Sequence, residues 1–372
     1  MSTVVPSYGS ARILLYVRLS SLTLSPVRLE SLTYTRYPMR RFSLAFFAIS
    51  LCAFLSSLLV LGCGGKKDDD SDDDAPRTKK KPRDTGPVAA APTLKKVEAK
   101  EYGTLSGKVA LDGDPSGAIA ELKASIKSSI DANTDASFCL TGEKSGVKSP
   151  IPVDPLETTE QEYRVGANKC LGNVFVWIEP QQGYYFDIPK DQLDAVPKEV
   201  TLYQPHCAFL PHCSVVFPSY YKDGKQEPTG QKLVMENDAL VLHNAKITSE
   251  KDNPPSLGIA PGKRQDYLFH PQKGAVNIAC DVHKFMKSYV RVHDHPYATV
   301  TSVGANHADL KKRVWENADS QDFGTYAIKG VPVGATVKVF AWHEKAGWLT
   351  PASGEALVLT KETKKDFTAM PK

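Results

Sequence analysis

From residue 103 onward the chain reads as short apolar runs broken by Gly, Pro and Asn, the pattern of strands and turns and not of long helices. Residues 104–111 alternate weakly, the run from Asn173 to Glu179 (Asn-Val-Phe-Val-Trp-Ile-Glu) is rich in β-formers, and residues 199–203 and 276–279 read as further strands. One stretch departs from this: Ile119, Leu122, Ile126 and Ile130 recur at helical spacing just after Asp114-Pro115, which predicts a helix. A second group of strands is predicted beyond Pro296, over 298–303, 324–328, 336–342 and 356–360. The expected architecture is therefore all-β, with a larger unit over 103–295 and a smaller one over 296–372. The 26 Pro and 25 Gly in 372 residues agree with short strands and frequent turns.

The N-terminal hundred residues follow other rules. Met39-Arg40-Arg41 is a compact positive start, residues 42–61 are uncharged and apolar, and Gly62-Cys63 closes the run. This resembles a bacterial lipoprotein signal spanning 39–62, in which the peptidase cuts before Cys63 and that thiol carries the lipid. The alternative is an uncleaved transmembrane helix, since about 20 apolar residues can span a bilayer. Either way the rest of the chain is expected to be exported, facing the periplasm or the cell exterior and held to a membrane by the lipid. Residues 1–38, Ser- and Arg-rich with Glu30 the one acidic group, read as a misplaced start ahead of Met39. Residues 63–102 read as a charged tether, an Asp block at 68–74 followed by Arg77, Lys79, Lys80, Lys81 and Arg83.

Charge changes the picture only by exclusion. Residues 1–62, with six Arg and one Glu, contribute +5 to the formal +4, so the remainder carries a formal −1. Nucleic-acid binding loses its electrostatic footing.

Seven cysteines sort into classes once export is accepted. Cys52 lies within the signal, Cys63 is the lipid acceptor, and Cys280 stands just before His283 and Met286. Cys139, Cys170, Cys207 and Cys213 remain, an even number that predicts up to two disulfides with three possible connectivities. His206-Cys207 and His212-Cys213 could instead offer zinc ligands, but neighbours on a strand face opposite ways, so disulfides are the expected outcome.

Cys280-Asp-Val-His283-Lys-Phe-Met286 puts a thiolate, an imidazole and a thioether in seven residues directly after a predicted strand. The apolar run ending in His243-Asn244 offers a second imidazole. Two His, one Cys and a weak axial Met select copper over hard cations. Asn237-Asp238, His243-Asn244 and the Cys280 loop resemble the cupredoxin family, with the loop spacing of its amicyanin-type members. That resemblance implies a Greek-key β-sandwich, one type 1 copper held by His243, Cys280, His283 and Met286, and Asn244 bracing the ligand loop through hydrogen bonds. The wider chain is similar to exported cupredoxin-domain proteins called methylamine-utilisation-like, through the Gly-x-Val opening, the 173–178 strand, the Cys207–His212 stretch and Asp294-His-Pro-Tyr297. The last unit, with Gly324-x-Tyr-x-Ile, Val331-Pro-x-Gly334 and Val339-Phe-Ala-Trp-His-Glu344, resembles carboxypeptidase regulatory-like domains of transthyretin-type sandwich fold.

The function expected from this set is one-electron transfer with an exported redox partner. A structural or interaction module, or copper delivery, stands as the alternative, although delivery proteins favour Met-rich tracts and only five Met occur. Oxidase chemistry is disfavoured because Cys280 is flanked by Ala279 and Asp281 and not by the paired His of multicopper oxidases. His293 and His295 share a strand face and could bind a second metal, but without a carboxylate partner they read as surface residues. His206, His212, His270 and His307 belong to no visible constellation, and His343-Glu344 lacks a second His four residues on.

Overall fold

A computed structural model describes residues 93–304 and 316–372. The signal, the Cys63 acceptor, the tether up to residue 92 and His307 lie outside the described residues. Within them strands dominate, and no helix is long and apolar enough to cross a membrane.

Two sandwiches can be built up from their cores. In the first, a four-stranded sheet runs Lys246–Thr248, Val276–Ala279, Lys287–Val292, Cys213–Val216, and a three-stranded sheet runs Lys263–Tyr267, Lys232–Asn237, Glu199–Gln204. Alternate residues of both sheets meet in one core: Leu202, Leu233 and Met235 on one side, Ile247, Ile278, Val290 and Val292 on the other. In the second, Tyr102–Leu111 lies between Thr325–Pro332 and the pair Glu362–Lys364 and Phe367–Ala369. Its facing sheet has Phe175–Pro180 between Ala298–Val300 and Thr336–His343. Leu105, Val109, Val176, Ile178, Ile328, Val337 and Val339 fill the space between.

This pairing corrects the expected boundary at 295/296. Strands 102–111 and 175–180 belong to the same sandwich as the strands beyond 296, so the first sandwich is an insertion within the second along the chain. Backbone donors of the 102–111 strand need partners on both edges, and strands beyond residue 325 supply them.

The two sandwiches also share a wall. Val174, Val176 and Ile178 point into the second core, while Phe175 and Trp177 point the other way, against Cys213 and Phe340 with Tyr289 and Trp342 beside them. A strand buried on both faces has no polar side, which is why this segment reads as a continuous apolar run. Trp177 is stacked on Phe340 and carries the Arg291 guanidinium 3.8 Å from its ring centre. Truncating such a side chain costs about 3–5 kcal/mol.

The predicted helix is present as α1, Ser116–Asp131, with Asp114 accepting from the Ser116 N–H at 2.9 Å at its start. Ile119 and Leu122 pack on the second core, Ile126 and Ile130 on the first. A short helix α2, Ala136–Thr141, follows and carries Cys139.

Candidate metal centre

The Cys280 loop is a hairpin. Val276–Ala279 and Lys287–Val292 are antiparallel neighbours with Ala279 opposite Lys287, so the seven residues between them form the turn. Met286 N–H donates to the His283 carbonyl at 2.8 Å and Cys280 N–H to the Met286 carbonyl at 3.3 Å, which closes the turn on itself. His283 N–H points at Cys280 Sγ, 3.4 Å away.

His243 arrives from a separate two-residue strand, His243–Asn244, paired with Gly258–Ile259. Fully buried Asn237 holds the approach: its Nδ2 donates to the Val241 and Ile259 carbonyls at 3.0 and 2.7 Å, and its Oδ1 accepts from Ala239 N–H at 2.9 Å. Asn244 ties this strand to the loop. Its Oδ1 accepts from Asp281 N–H at 2.8 Å and lies 3.2 Å from Cys280 Sγ, and its Nδ2 donates to Asp281 Oδ2 at 2.8 Å.

These constraints bring three donors together. Cys280 Sγ lies 4.0 Å from His243 Nδ1 and 3.9 Å from His283 Nδ1, with all three atoms mutually within 4.8 Å. A cation with bonds of about 2.3 Å to sulfur and about 2.0–2.1 Å to nitrogen would hold such atoms about 3.6–3.8 Å apart, so the cluster fits a shared ion with little adjustment. Met286 is buried in the same core. His243 and His283 are wholly inaccessible and Cys280 and Met286 nearly so.

Burial also sets the protonation. It pushes His243 down to about 3, with the His283 charge adding to the effect, and it lowers His283 despite the nearby Asp135 carboxylate. Both rings are thus neutral and able to ligate. Burial raises the Cys280 thiol, so an incoming cation must displace its proton.

Two features near the site have no motif in the sequence. Cys139 and Cys207 form a disulfide whose sulfurs lie within 4.8 Å of a His283 ring nitrogen, and Asp135 faces His283 Nε2. The other two disulfide candidates are free, buried thiols. Cys213 faces the wall between the sandwiches, whereas Cys170 lies beside Ala110 and Gly324 in the second sandwich, so they sit in different packing environments. A Cβ on Gly324, whose φ is +71°, would meet Cys170 Cβ at 2.3 Å.

The remaining histidines need correction. His293 and His295 are buried, not on the surface, with ring centres 5.3 Å apart among Trp177, Phe186 and Tyr297. His206 pairs with Glu157 at 3.0 Å, His270 with Asp252 at 2.7 Å, and His212 with Glu344.

No family model matches the chain, and no curated protein matches it. Among solved structures it is similar to amicyanin from Paracoccus versutus (Thiobacillus versutus), 15% identical with a TM-score of 0.21, over 27% of this chain and 88% of that one. It is similar to the copper-containing nitrite reductase of Thermus scotoductus SA-01, 18% identical with a TM-score of 0.20, over 27% of this chain and 23% of the reductase. A purple cupredoxin from Nitrosopumilus maritimus is 16% identical with a TM-score of 0.19, over 25% of this chain and 97% of that one. What the chain's own residues establish is an all-β protein with two imidazoles and one thiol gathered in a buried cluster at the end of a hairpin.

Proposed function

We propose that the protein binds one copper ion through His243, Cys280, His283 and Met286 and serves as a one-electron carrier. The observation that carries this reading is the convergence of His243 Nδ1, His283 Nδ1 and Cys280 Sγ inside the core. When bound, copper supplies reversible one-electron chemistry, Cu(I) to Cu(II). The protein's part is to hold the donors. The hairpin hydrogen bonds fix Cys280 and His283, Asn244 locks that loop to the His243 strand, and the surrounding apolar residues exclude water.

A closed cage favours a carrier over an enzyme, because a substrate needs an open position and none of the four side chains reaches solvent appreciably. Leu242 and Val282, each next to a ligand histidine, are 49% and 38% exposed and offer an apolar edge to an exported redox partner. Export and lipid attachment at Cys63, as the 39–63 pattern implies, belong to the same reading.

The test is optical. Full-length protein loaded with Cu(II) should show intense visible thiolate-to-copper charge transfer, and Cys280→Ser should abolish it. Wild-type protein that binds copper without colour would overturn the assignment.

A further inference from the structure

A second cluster of donor atoms lies apart from the copper ligands. His212, Cys213 and Glu344 each offer a ligand atom within 4.8 Å of the other two, and all three side chains are nearly inaccessible. They come from distant parts of the chain, His212 and Cys213 from the start of the Cys213–Val216 strand and Glu344 from just past Thr336–His343. His212 stands just before the first residue of that strand and Cys213 is its first residue, and each brings a donor atom to the same cluster.

We propose that His212, Cys213 and Glu344 form a second metal site, for a divalent cation of the zinc class. Imidazole, thiolate and carboxylate are the three protein donors such an ion accepts, with a fourth position left to solvent. The charges suit a buried location, since one carboxylate and one thiolate together balance a dication.

A plain His212–Glu344 ion pair would account for two of these residues, but not for a thiol beside them or for a way in. Two clefts supply the latter. One is lined by His212 and Cys213 with Arg164 and Glu316, the other by His212 with Glu162 and Lys287. His212 is also held in place: its carbonyl accepts from Tyr289 N–H at 2.9 Å and from Ser288 Oγ at 2.8 Å. Its Nε2 meets Glu344, while Nδ1 is buried beside the Lys287 backbone without completing a hydrogen bond. His343 is not a ligand. Its Nδ1 accepts from the N–H groups of Ala346 at 3.1 Å and Lys345 at 3.3 Å, which leaves the proton on Nε2.

The experiment uses Co(II) alone, added to full-length, copper-free Cys280→Ser protein so that the copper cluster contributes no thiolate. One equivalent should bind and give a near-ultraviolet sulfur-to-cobalt charge-transfer band, and Zn(II) should displace it. Adding Cys213→Ser should remove the band. Glu344→Gln, which keeps side-chain volume and a partner for His212, should weaken Zn(II) binding at least tenfold, in line with the effect of disturbing a ligand set. No band at stoichiometric cobalt, a band that survives Cys213→Ser, or a Zn(II) affinity unchanged in Glu344→Gln would each overturn the site. None of these outcomes bears on the copper reading, which the colour of the wild-type protein tests separately.

Discussion

His283 Nε2 lies 3.4 Å from Asp135 Oδ2, so the turn between α1 and α2 places a carboxylate against a ring of the donor cluster. The contact is electrostatic and falls outside hydrogen-bond geometry. The same turn is fastened to the loop a second time, where Asn133 Nδ2 donates to the Val282 carbonyl at 2.9 Å.

Asp135→Asn removes the negative charge and keeps the shape. A carboxylate near a ligating imidazole favours the more highly charged metal state, so the reduction potential of the copper-loaded protein should rise. A tenfold change in the Cu(II)/Cu(I) affinity ratio corresponds to about 59 mV for one electron, the scale voltammetry should resolve. An unchanged potential would mean that Asp135 serves only to tether the turn.

Met286→Leu should leave copper bound and the protein coloured while also raising the potential, because a thioether that helps stabilise Cu(II) is lost. Copper stoichiometry and voltammetry measured together check this. An unmoved potential would strike Met286 from the ligand set.

The Cys139–Cys207 bridge closes a loop of 68 residues between α2 and the segment entering the first sandwich. Chain-entropy reasoning gives such a bridge about 4 kcal/mol. The Cys139→Ser/Cys207→Ser double variant should lose stability of that order in urea unfolding, and peptide mapping without reduction should find Cys170, Cys213 and Cys280 unlinked.

Burial holds His293 well below its ordinary value of 6.5, with the His295 and Arg291 charges acting in the same direction. The unfolded chain takes up a proton near pH 6.5 and the folded protein does not. Stability is therefore fully present above that pH and falls as the solution is acidified, by about 1.4 kcal/mol per pH unit for one histidine. Denaturation of metal-free protein between pH 6.5 and 5 should show a shallower slope in His293→Gln, by about one proton.

Much of the donor cluster was legible because a hairpin keeps its ligands close in sequence. Cys280, His283 and Met286 are spaced to share one turn, and Asn244 announces itself by following His243. Asp135 and the Cys139–Cys207 bridge were not, since Asp135 and Cys139 reach His283 from well over a hundred residues earlier in the chain, Cys207 from a separate segment, and no local pattern marks them. The strand at 173–179 was visible as a strand, but its apolar character on both faces could not say which core each face serves. His293 and His295 were misread because a single strand face does not reveal the Trp177, Phe186 and Tyr297 rings that enclose it. The same holds for the division near residue 296, where turn residues mark a break in the local pattern although the hydrogen bonds run across it.

Interleaving the two sandwiches has a consequence for the order of assembly. As the chain emerges, the Tyr102–Leu111 strand is met only at its end, by the bridge from Ala110 to Cys170, until residue 325 appears, and its other edge stays bare until residues 362–369 follow. The inserted sandwich and its donor hairpin can close well before that. A chain truncated after residue 295 would therefore carry a formed donor cluster beside two strands with open edges, a template for aggregation and a mark for proteolysis. The outer sandwich is thus complete only once the strands at 325–332, 362–364 and 367–369 are in place.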